Sequence, residues 1–564
     1  MMRNFSNLNI QEIPLSSPYF HREVDCFLSE NGLRPESLDS YYAFRSEDGS
    51  LLAGAGIQGD VIKCVAVSPE ARSEGLTAPL ISHIISQQGG KNLKVFTKPE
   101  NRAIFESLGF RELASAPAAV LMENGRGLEQ YCAYLRSFAG PGRTGVVVMN
   151  ANPFTLGHQY LLQKAMEQVD RLIVIPVRED VSAFSYRERL EMIRAGAPEG
   201  VTVVEGSAYQ ISALTFPTYF LKDLSDAAQT QMALDVDLFA RHIAPALGAA
   251  VRFVGTEPSD SLTACYNTVL KQRLDVVEIP RLSIGGTPVS ASAVRAALDG
   301  GHYAPAAVLV PPSSRPCLGA FLAVRALTLE LDTPLKPGLV GPDSRGAHPD
   351  MDYALMKRSI AALRPWFVKM ASARSALELQ QSGLEAEKAM LEATGGVNTH
   401  KGAIYCLGLA LYACGTETAV TEEVMKNRLG DIAQAISNNK LKQSELYSTH
   451  GSAAVEQFGV KGARAMAEEG YLPLWEKWLP CYRSTRSLQK TLLAIMSTLD
   501  DTCVLHRVGY DRAQQVKREA GELLEHFSEQ ALSHLCEQYT AEGISPGGAA
   551  DMLSLTILLT SIII

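Results

Sequence analysis

The stretch Val146-Val-Val-Met149-Asn150-Ala-Asn152-Pro153-Phe-Thr155-Leu-Gly157-His158 decides how the middle of this chain is read. The apolar run Val146–Met149 predicts a short buried strand. Pro153 and Gly157 mark a tight turn, and the spacing of apolar residues from His158 to Val169 predicts a helix. A strand that ends in a tight turn and feeds a helix presents unpaired backbone N–H groups and the positive end of a helix dipole. A polyphosphate is therefore expected at its carboxyl end. Gly157 lets the backbone approach closely, and His158 can donate an N–H to phosphoryl oxygens while charge builds on them. Asn150, Asn152, Pro153 and Thr155 are read with them as nucleotide-binding.

Working outward, strand and helix alternate: Leu172–Val177 then Tyr186–Ala195, with further apolar runs at Val201–Val204, Val251–Val254 and Val276–Ile279. Helices are expected at Asp235–Ala246 and Ser290–Leu298. Such alternation favours a parallel, Rossmann-like α/β sheet wrapped by helices. In Ser290-Ala-Ser292-Ala-Val-Arg295 the phosphate device recurs: Ser290 can cap the helix and touch phosphate beside Ser292, and Arg295 can give bidentate bonds to a leaving pyrophosphate. Arg178-Glu-Asp180 lies at a strand's carboxyl end and reads equally as a site or a solvated turn. Phe216–Phe220 reads as packing, and the role of Glu257 is open.

At 564 residues, three or four domains of about 150 are expected. Apolar residues at 46% and charged residues at 20% exclude disordered, collagen-like and coiled-coil readings. With 52 Lys and Arg against 61 Asp and Glu and no basic block, no nucleic acid partner is expected. The ten scattered cysteines lack a Cys-x-x-Cys pair, and Met1–Leu8 is not followed by an apolar run of signal-peptide length. Free thiols in a cytoplasmic protein are therefore expected. Leu553–Ile564, interrupted by Ser and Thr, is too short to cross a bilayer of about 30 Å and reads as a buried terminal helix, so no membrane partner is expected. Texture places an α+β domain at residues 1–135, the α/β domain at 140–304, a Pro-containing link, and an all-α domain at 317–564.

Asn150–His158, Arg178–Asp180, Phe216–Phe220, Phe253–Pro258, Glu278-Ile-Pro-Arg281 and Ser290–Arg295 together resemble the H-x-G-H nucleotidyltransferases, and more closely the citrate lyase ligases. Thr155 stands where the wider superfamily has its first His. The resemblance implies that ATP activates acetate as acetyl-AMP with release of pyrophosphate. The acetyl group then passes to the prosthetic-group thiol of an acyl carrier subunit, with His158, Ser290 and Arg295 catalytic. In the first domain, Lys63–Ser68, Arg72–Leu80 and Asn101–Phe110 resemble the GNAT acetyltransferase fold. Its turn has a single glycine, Gly75, and Phe105 stands where many members have a Tyr acid, so a binding or docking role is expected.

The helical region carries five loops of phosphate- and metal-handling groups: Leu335–Val340 with Gly346–Asp352, Gly395–Gly402, Thr449-His-Gly451, Asp500–Thr502 with Arg507, and Ser545–Asp551. Gly395, Gly396, Gly547 and Gly548 allow backbone N–H groups to face a triphosphate. Lys336, Lys401 and Arg507 supply charge, with Asn398 and Thr399 beside them. Asp350, Asp352, Asp500, Asp501 and Asp551 are suitable Mg²⁺ ligands. Any one of these loops could instead simply end a helix. Together they resemble triphosphoribosyl-dephospho-CoA synthase, which displaces adenine from ATP with the 2′-hydroxyl of 3′-dephospho-CoA. His400 is read as catalytic, with His348 or an Asp as alternative bases. The two resemblances imply a bifunctional enzyme that matures citrate lyase. The rivals are an adenylyltransferase of another pantetheine or nicotinamide substrate and a non-catalytic nucleotide-binding scaffold for the lyase.

Overall fold

The computed structural model describes residues 9–72, 74–179, 182–211, 216, 227–256, 261–438, 460 and 462–564. Asp180, Phe216–Phe220 apart from Phe216 itself, Glu257 and Thr449–Gly451 lie outside them. The chain forms two compact units. The first comprises residues 1–152 and 157–288, the second residues 153–156 and 289–564.

The first unit holds two large sheets. Strands β1 (Ile10–Ile13), β2 (Ser40–Arg45), β3 (Leu51–Gln58), β4 (Val61–Val67), β5 (Leu93–Thr97), β6 (Arg111–Ser115) and β7 (Val120–Asn124) lie in the order β1-β2-β3-β4-β5-β7-β6. All pairs are antiparallel except β4 with β5, which are parallel and pair only at Val61↔Lys94 and Ile62↔Val95. The helix Thr77–Gln87 buries Leu80, Ile81 and Ile84. Phe105 is buried against Phe110, ring centroids 5.5 Å apart, so its ring serves the core.

Strands β8 (Thr144–Met149), β9 (Arg171–Pro176), β10 (Val201–Val203), β11 (Ala249–Gly255) and β12 (Val276–Ile279) make an all-parallel sheet in the order β10-β9-β8-β11-β12. The chain runs outward from β8 to β10 and returns to the other side of β8 with β11. The carboxyl ends of β8 and β11 therefore flank the topological switch point, where doubly wound sheets bind ligands. The two sheets share a core that includes Phe96, Leu121, Ile173, Phe216 and Leu238. Phe216 stacks edge-on against Phe96 at 5.5 Å, which is the packing role its sequence suggests. Polar groups also cross between the sheets: Tyr209 donates its hydroxyl to buried Glu123, and Asp237 accepts the backbone N–H of Ser115 at 2.9 Å.

The second unit is helical. Its longest described helices are Arg315–Asp332, Tyr353–Ser372, Ala376–Thr394, Lys401–Cys414, Glu422–Asn438, Thr502–Glu525, Glu529–Glu542 and Gly547–Ile562. Lys401–Cys414 and Gly547–Ile562 are apolar on nearly every face, as a helix enclosed by others must be. The apolar tail is thus a buried terminal helix, and no helix among the described residues is long and apolar enough to cross a membrane. Glycine at 509, with φ +77°, breaks the Thr502–Glu525 helix. The Pro-containing link is partly buried: Ala306, Ala307, Val310 and Ser314 are fully buried while Pro305, Val308 and Pro312 are exposed, and Ala291–Asp299 and Tyr303–Ala307 belong to the helical unit.

Candidate active sites

In the first unit the site grows from the carboxyl end of β8. The helix that follows spans Leu156–Met166, two residues earlier than its periodicity suggests. Ala151 takes the left-handed conformation, φ +49°, rare for a residue with a Cβ, so the turn after β8 is held by its surroundings. The holder is Arg189, a residue the sequence does not single out. Its fully buried guanidinium donates to the carbonyl and side-chain oxygen of Asn150, both at 2.8 Å. It also donates to the carbonyls of Val177 at 2.9 Å and Phe184 at 3.2 Å, and to that of Glu179. Asn150 Nδ2 donates to Glu179 Oε1 at 2.8 Å, and Asn152 Oδ1 accepts from the Phe184 N–H at 3.2 Å. Asn150 and Asn152 are therefore tied to the β9 side of the switch point.

His158 is partly buried, and burial together with the Arg281 guanidinium holds its imidazole down to about 4. Arg281 belongs to the Glu278–Arg281 segment, and the structure adds it to the site. A neutral imidazole beside an arginine suits an anion: negative phosphoryl oxygens would offset both the loss of hydration on burial and the smaller repulsion from Arg281 that together keep the ring uncharged.

The loss of Arg189 would orphan several buried carbonyls, each at about 1–3 kcal/mol. Arg189→Met is expected to destabilise the first unit by about 3 kcal/mol or more, read as a lower denaturant midpoint. A variant with an unchanged midpoint would show the network to be dispensable.

Pro153 and Thr155 are buried and belong, with Ser290, Ser292 and Arg295, to the second unit. Ser290 caps the Ala291–Asp299 helix by accepting the Ala293 N–H at 3.1 Å, and its hydroxyl lies 3.1 Å from that of Ser292.

The helical unit brings Lys336, His400, Asp501 and Asp551 into one buried cluster and adds Glu330, which reads in sequence as an ordinary helical residue. Lys336 Nζ, almost fully buried, lies 2.5 Å from Glu330 Oε1 and 2.7 Å from the Glu330 carbonyl. His400 Nδ1 meets the hydroxyls of Ser359 at 2.8 Å and Thr399 at 3.1 Å, while its buried Nε2 has no hydrogen-bond partner among the described residues. Burial, with the Lys336 ammonium nearby, pulls its imidazole down to about 4. Asp501 Oδ1 caps the Thr502–Glu525 helix through the Cys503 N–H at 2.8 Å, and its Oδ2 accepts from Ala549 N–H at 2.8 Å. The Asp551 carboxylate lies against Gly402, where a side chain would collide with it. Burial, and the like charges of Asp501 and Glu330, push Asp551 well above the usual carboxylate range.

Other residues named by the loops take different roles. Gly395 ends the Ala376–Thr394 helix at φ +67°, and its N–H and that of Gly396 both bond to the Leu391 carbonyl. These two donors close a helix and do not face a triphosphate. The Gly548 N–H likewise serves the Asp501 carboxylate, and Gly547 packs on Cys503. Asn398 Oδ1 accepts the Lys401 N–H at 3.3 Å, and Lys401 Nζ pairs with Glu387 at 2.9 Å. Asp350 is exposed, Asp352 caps the Tyr353–Ser372 helix, and Asp500 pairs with Lys517 at 2.7 Å. Arg507 donates to His348 Nδ1 at 3.3 Å, which leaves the His348 Nε2–H to donate to Ser545 at 2.7 Å. Among the described residues no three His, Cys, Asp or Glu side chains are arranged to hold a metal ion.

Both depressed imidazoles give a testable pH dependence. A histidine near 4 in the folded chain and near 6.5 unfolded contributes stability that is full above 6.5 and lost as pH falls toward 4. NMR titration of the ligand-free chain should find His158 and His400 uncharged down to about pH 4. A midpoint near 6.5 for either would contradict its placement.

A family model described as the citrate lyase ligase C-terminal domain matches residues 144–316. One described as CitG, ATP:dephospho-CoA triphosphoribosyl transferase, matches residues 319–563. The citrate (pro-3S)-lyase ligase of Klebsiella pneumoniae is 41% identical over 309 residues, covering 52% of this chain and 90% of that protein. That of Escherichia coli is 40% identical over 307 residues, 51% and 87% respectively. The 2-(5′′-triphosphoribosyl)-3′-dephosphocoenzyme-A synthase of Pectobacterium atrosepticum is 36% identical over 258 residues, 42% of this chain and 85% of that protein.

Proposed function

We infer the chemistry from one premise: this chain belongs to the citrate lyase ligase family over its first half and to the triphosphoribosyl-dephospho-CoA synthase family over its second. It is a bifunctional enzyme of citrate lyase maturation, with ligase and transferase activities on one polypeptide.

For the ligase, an acetate oxygen attacks the α-phosphorus of ATP and the bond to pyrophosphate breaks. The acyl carrier's prosthetic thiol then attacks the acetyl carbon, releasing AMP. His158 and Arg281 hold the phosphoryl oxygens, and Asn150, Asn152 and Gly157 shape the turn beneath them. Ser290, Ser292 and Arg295 are assigned phosphate contacts on their motif. A GNAT-like role for the front sheet, docking a pantetheine arm, is supported by the parallel β4–β5 pair, which is bonded at only two positions. It is also supported by Gly75, φ +68°, ahead of the helix Thr77–Gln87, whose start has no side-chain cap. Ten free cysteines, the count in the full sequence, suit a reducing cytoplasm.

For the transferase, the 2′-hydroxyl oxygen of 3′-dephospho-CoA attacks C1′ of the ATP ribose. The bond to adenine N9 breaks, the hydroxyl proton passes to a base, and the departing adenine takes up one proton to leave as the neutral base. His400 is that base: its Nδ1 is oriented by two hydroxyls and its Nε2 is unengaged. The buried Nε2 of His400, unpartnered among the described residues, carries this reading, and the buried carboxyls of Asp501 and Asp551 add oxygen ligands that suit a cation. Asp501 and Asp551 fit Mg²⁺, which takes one or two carboxylates and fills the rest of its shell from phosphate and water, and which would neutralise the triphosphate. The deciding experiment is mass spectrometry after incubation with ATP, acetate, 3′-dephospho-CoA and deacetylated acyl carrier protein. Triphosphoribosyl-dephospho-CoA, adenine, AMP and pyrophosphate are expected. A stable adenylylated product in place of AMP would refute the ligase chemistry.

A further inference from the structure

We propose that the cavity among the helices Tyr353–Ser372, Ala376–Thr394, Lys401–Cys414 and Glu422–Asn438 is an adenine pocket in which Gln380 and Tyr405 read the edge of the base. The proposal rests on the transferase reading of this unit. The cavity measures about 90 Å³, several times the roughly 10–15 Å³ that admits one water, and is partly open to solvent, so a flat ring can enter it without being wholly enclosed. Its walls are aliphatic, including Leu379, Ile404 and Ile436. Gly383 and Gly408 line it together with Met370, and a Cβ on Gly408 would stand 2.7 Å from the Met370 sulfur. That thioether is a favourable neighbour for a flat π system.

Besides the charged Glu387 and Arg464, two further polar side chains interrupt these walls. Gln380 Oε1 and the Tyr405 hydroxyl are buried and have no hydrogen-bond partner among the described residues. Buried polar atoms in native proteins are nearly always bonded, so two at one cavity call for a ligand. An adenine edge offers what they lack, with an exocyclic amine to donate to the carbonyl oxygen and a ring nitrogen to accept from the hydroxyl. The cavity is also close along the chain to His400, the base of the transferase reading. Glu387 lines it and pairs at 2.9 Å with Lys401, the first residue of the helix after the Gly395–His400 loop.

Adenine occurs both in ATP, where it leaves, and in dephospho-CoA, where it stays. The test follows triphosphoribosyl-dephospho-CoA formation by the full chain, with free adenine and inorganic tripolyphosphate as inhibitors. Adenine is expected to inhibit the unaltered chain. Gln380→Leu and Tyr405→Phe should each weaken that inhibition about three- to tenfold while leaving inhibition by tripolyphosphate unchanged. Competition with ATP would assign the pocket to the leaving base, and competition with dephospho-CoA to the retained one. Equal inhibition of the unaltered and altered chains, or tripolyphosphate inhibition without adenine inhibition, would overturn the pocket and leave the transferase reading standing. An unaltered chain that forms no product would overturn both. Tyr405→Phe removes a single oxygen atom, so its melting temperature serves as the folding control.

Discussion

Replacing His158 by Ala is expected to lower acetate-dependent pyrophosphate release by about a hundred- to a thousandfold, the range seen when one donor aimed at developing charge is removed. The imidazole sits at the start of the helix after the central strand, on the rim where a parallel sheet of this order binds ligands. It is held neutral by burial and by Arg281, so bound triphosphate draws it toward the charged form that donates best. Two readouts separate this from a structural defect. His158→Gln, which keeps an N–H donor, should recover part of the rate. In the unaltered chain the His158 midpoint should move up from about 4 when Mg·ATP binds. A His158→Ala chain that released pyrophosphate at the original rate would remove His158 from the mechanism.

The second large effect is expected at Asp551. Asp551→Asn should cut dephospho-CoA-dependent adenine release by about a hundredfold or more, while the chain melts at the same temperature or higher. The two effects have one cause. A carboxyl held above its usual range by burial and by Asp501 and Glu330 subtracts stability as pH rises past its unfolded value. An amide cannot ionise and removes that loss, yet it can still accept the backbone N–H of Ala403 that the carboxylate now accepts. Sites kept destabilised for function show this trade-off when they are neutralised. The activity loss should be accompanied by a weaker response to added Mg²⁺. Full activity, or a marked fall in melting temperature, would show that Asp551 has a packing role only.

Much of the site is legible locally because its signals are local. The strand ending at Met149, the turn through Gly157 and the cap at Ser290 each depend on residues within a few positions, where periodicity and capping chemistry act. The glycine pairs show the limit of such reading. Gly395-Gly396 and Gly547-Gly548 have the composition of phosphate loops, but the N–H groups of the first pair close a helix, and the second pair's Gly548 donates to a carboxylate. Composition states that a donor can be free, and only the fold states whether another acceptor has already taken it.

By itself, the sequence determined which two families this chain belongs to and which residue types its candidate sites offer: a strand-turn-helix with His158, a capped helix with Arg295, and a helical region rich in Asp, Lys and His. Tertiary structure decided which of those groups meet. Arg189 reads as one charge on an amphipathic helix until β8 and β9 enclose it, and Glu330 as one among many helical acids until Lys336 and Asp551 close around it. Helix and strand propensity act over a few residues, whereas burial and charge depend on segments that come together from distant parts of the chain. Asp551 and Asp501 are fifty positions apart, and Asp551 and Glu330 more than two hundred, yet Asp501 and Glu330 help hold the Asp551 carboxyl above its usual range.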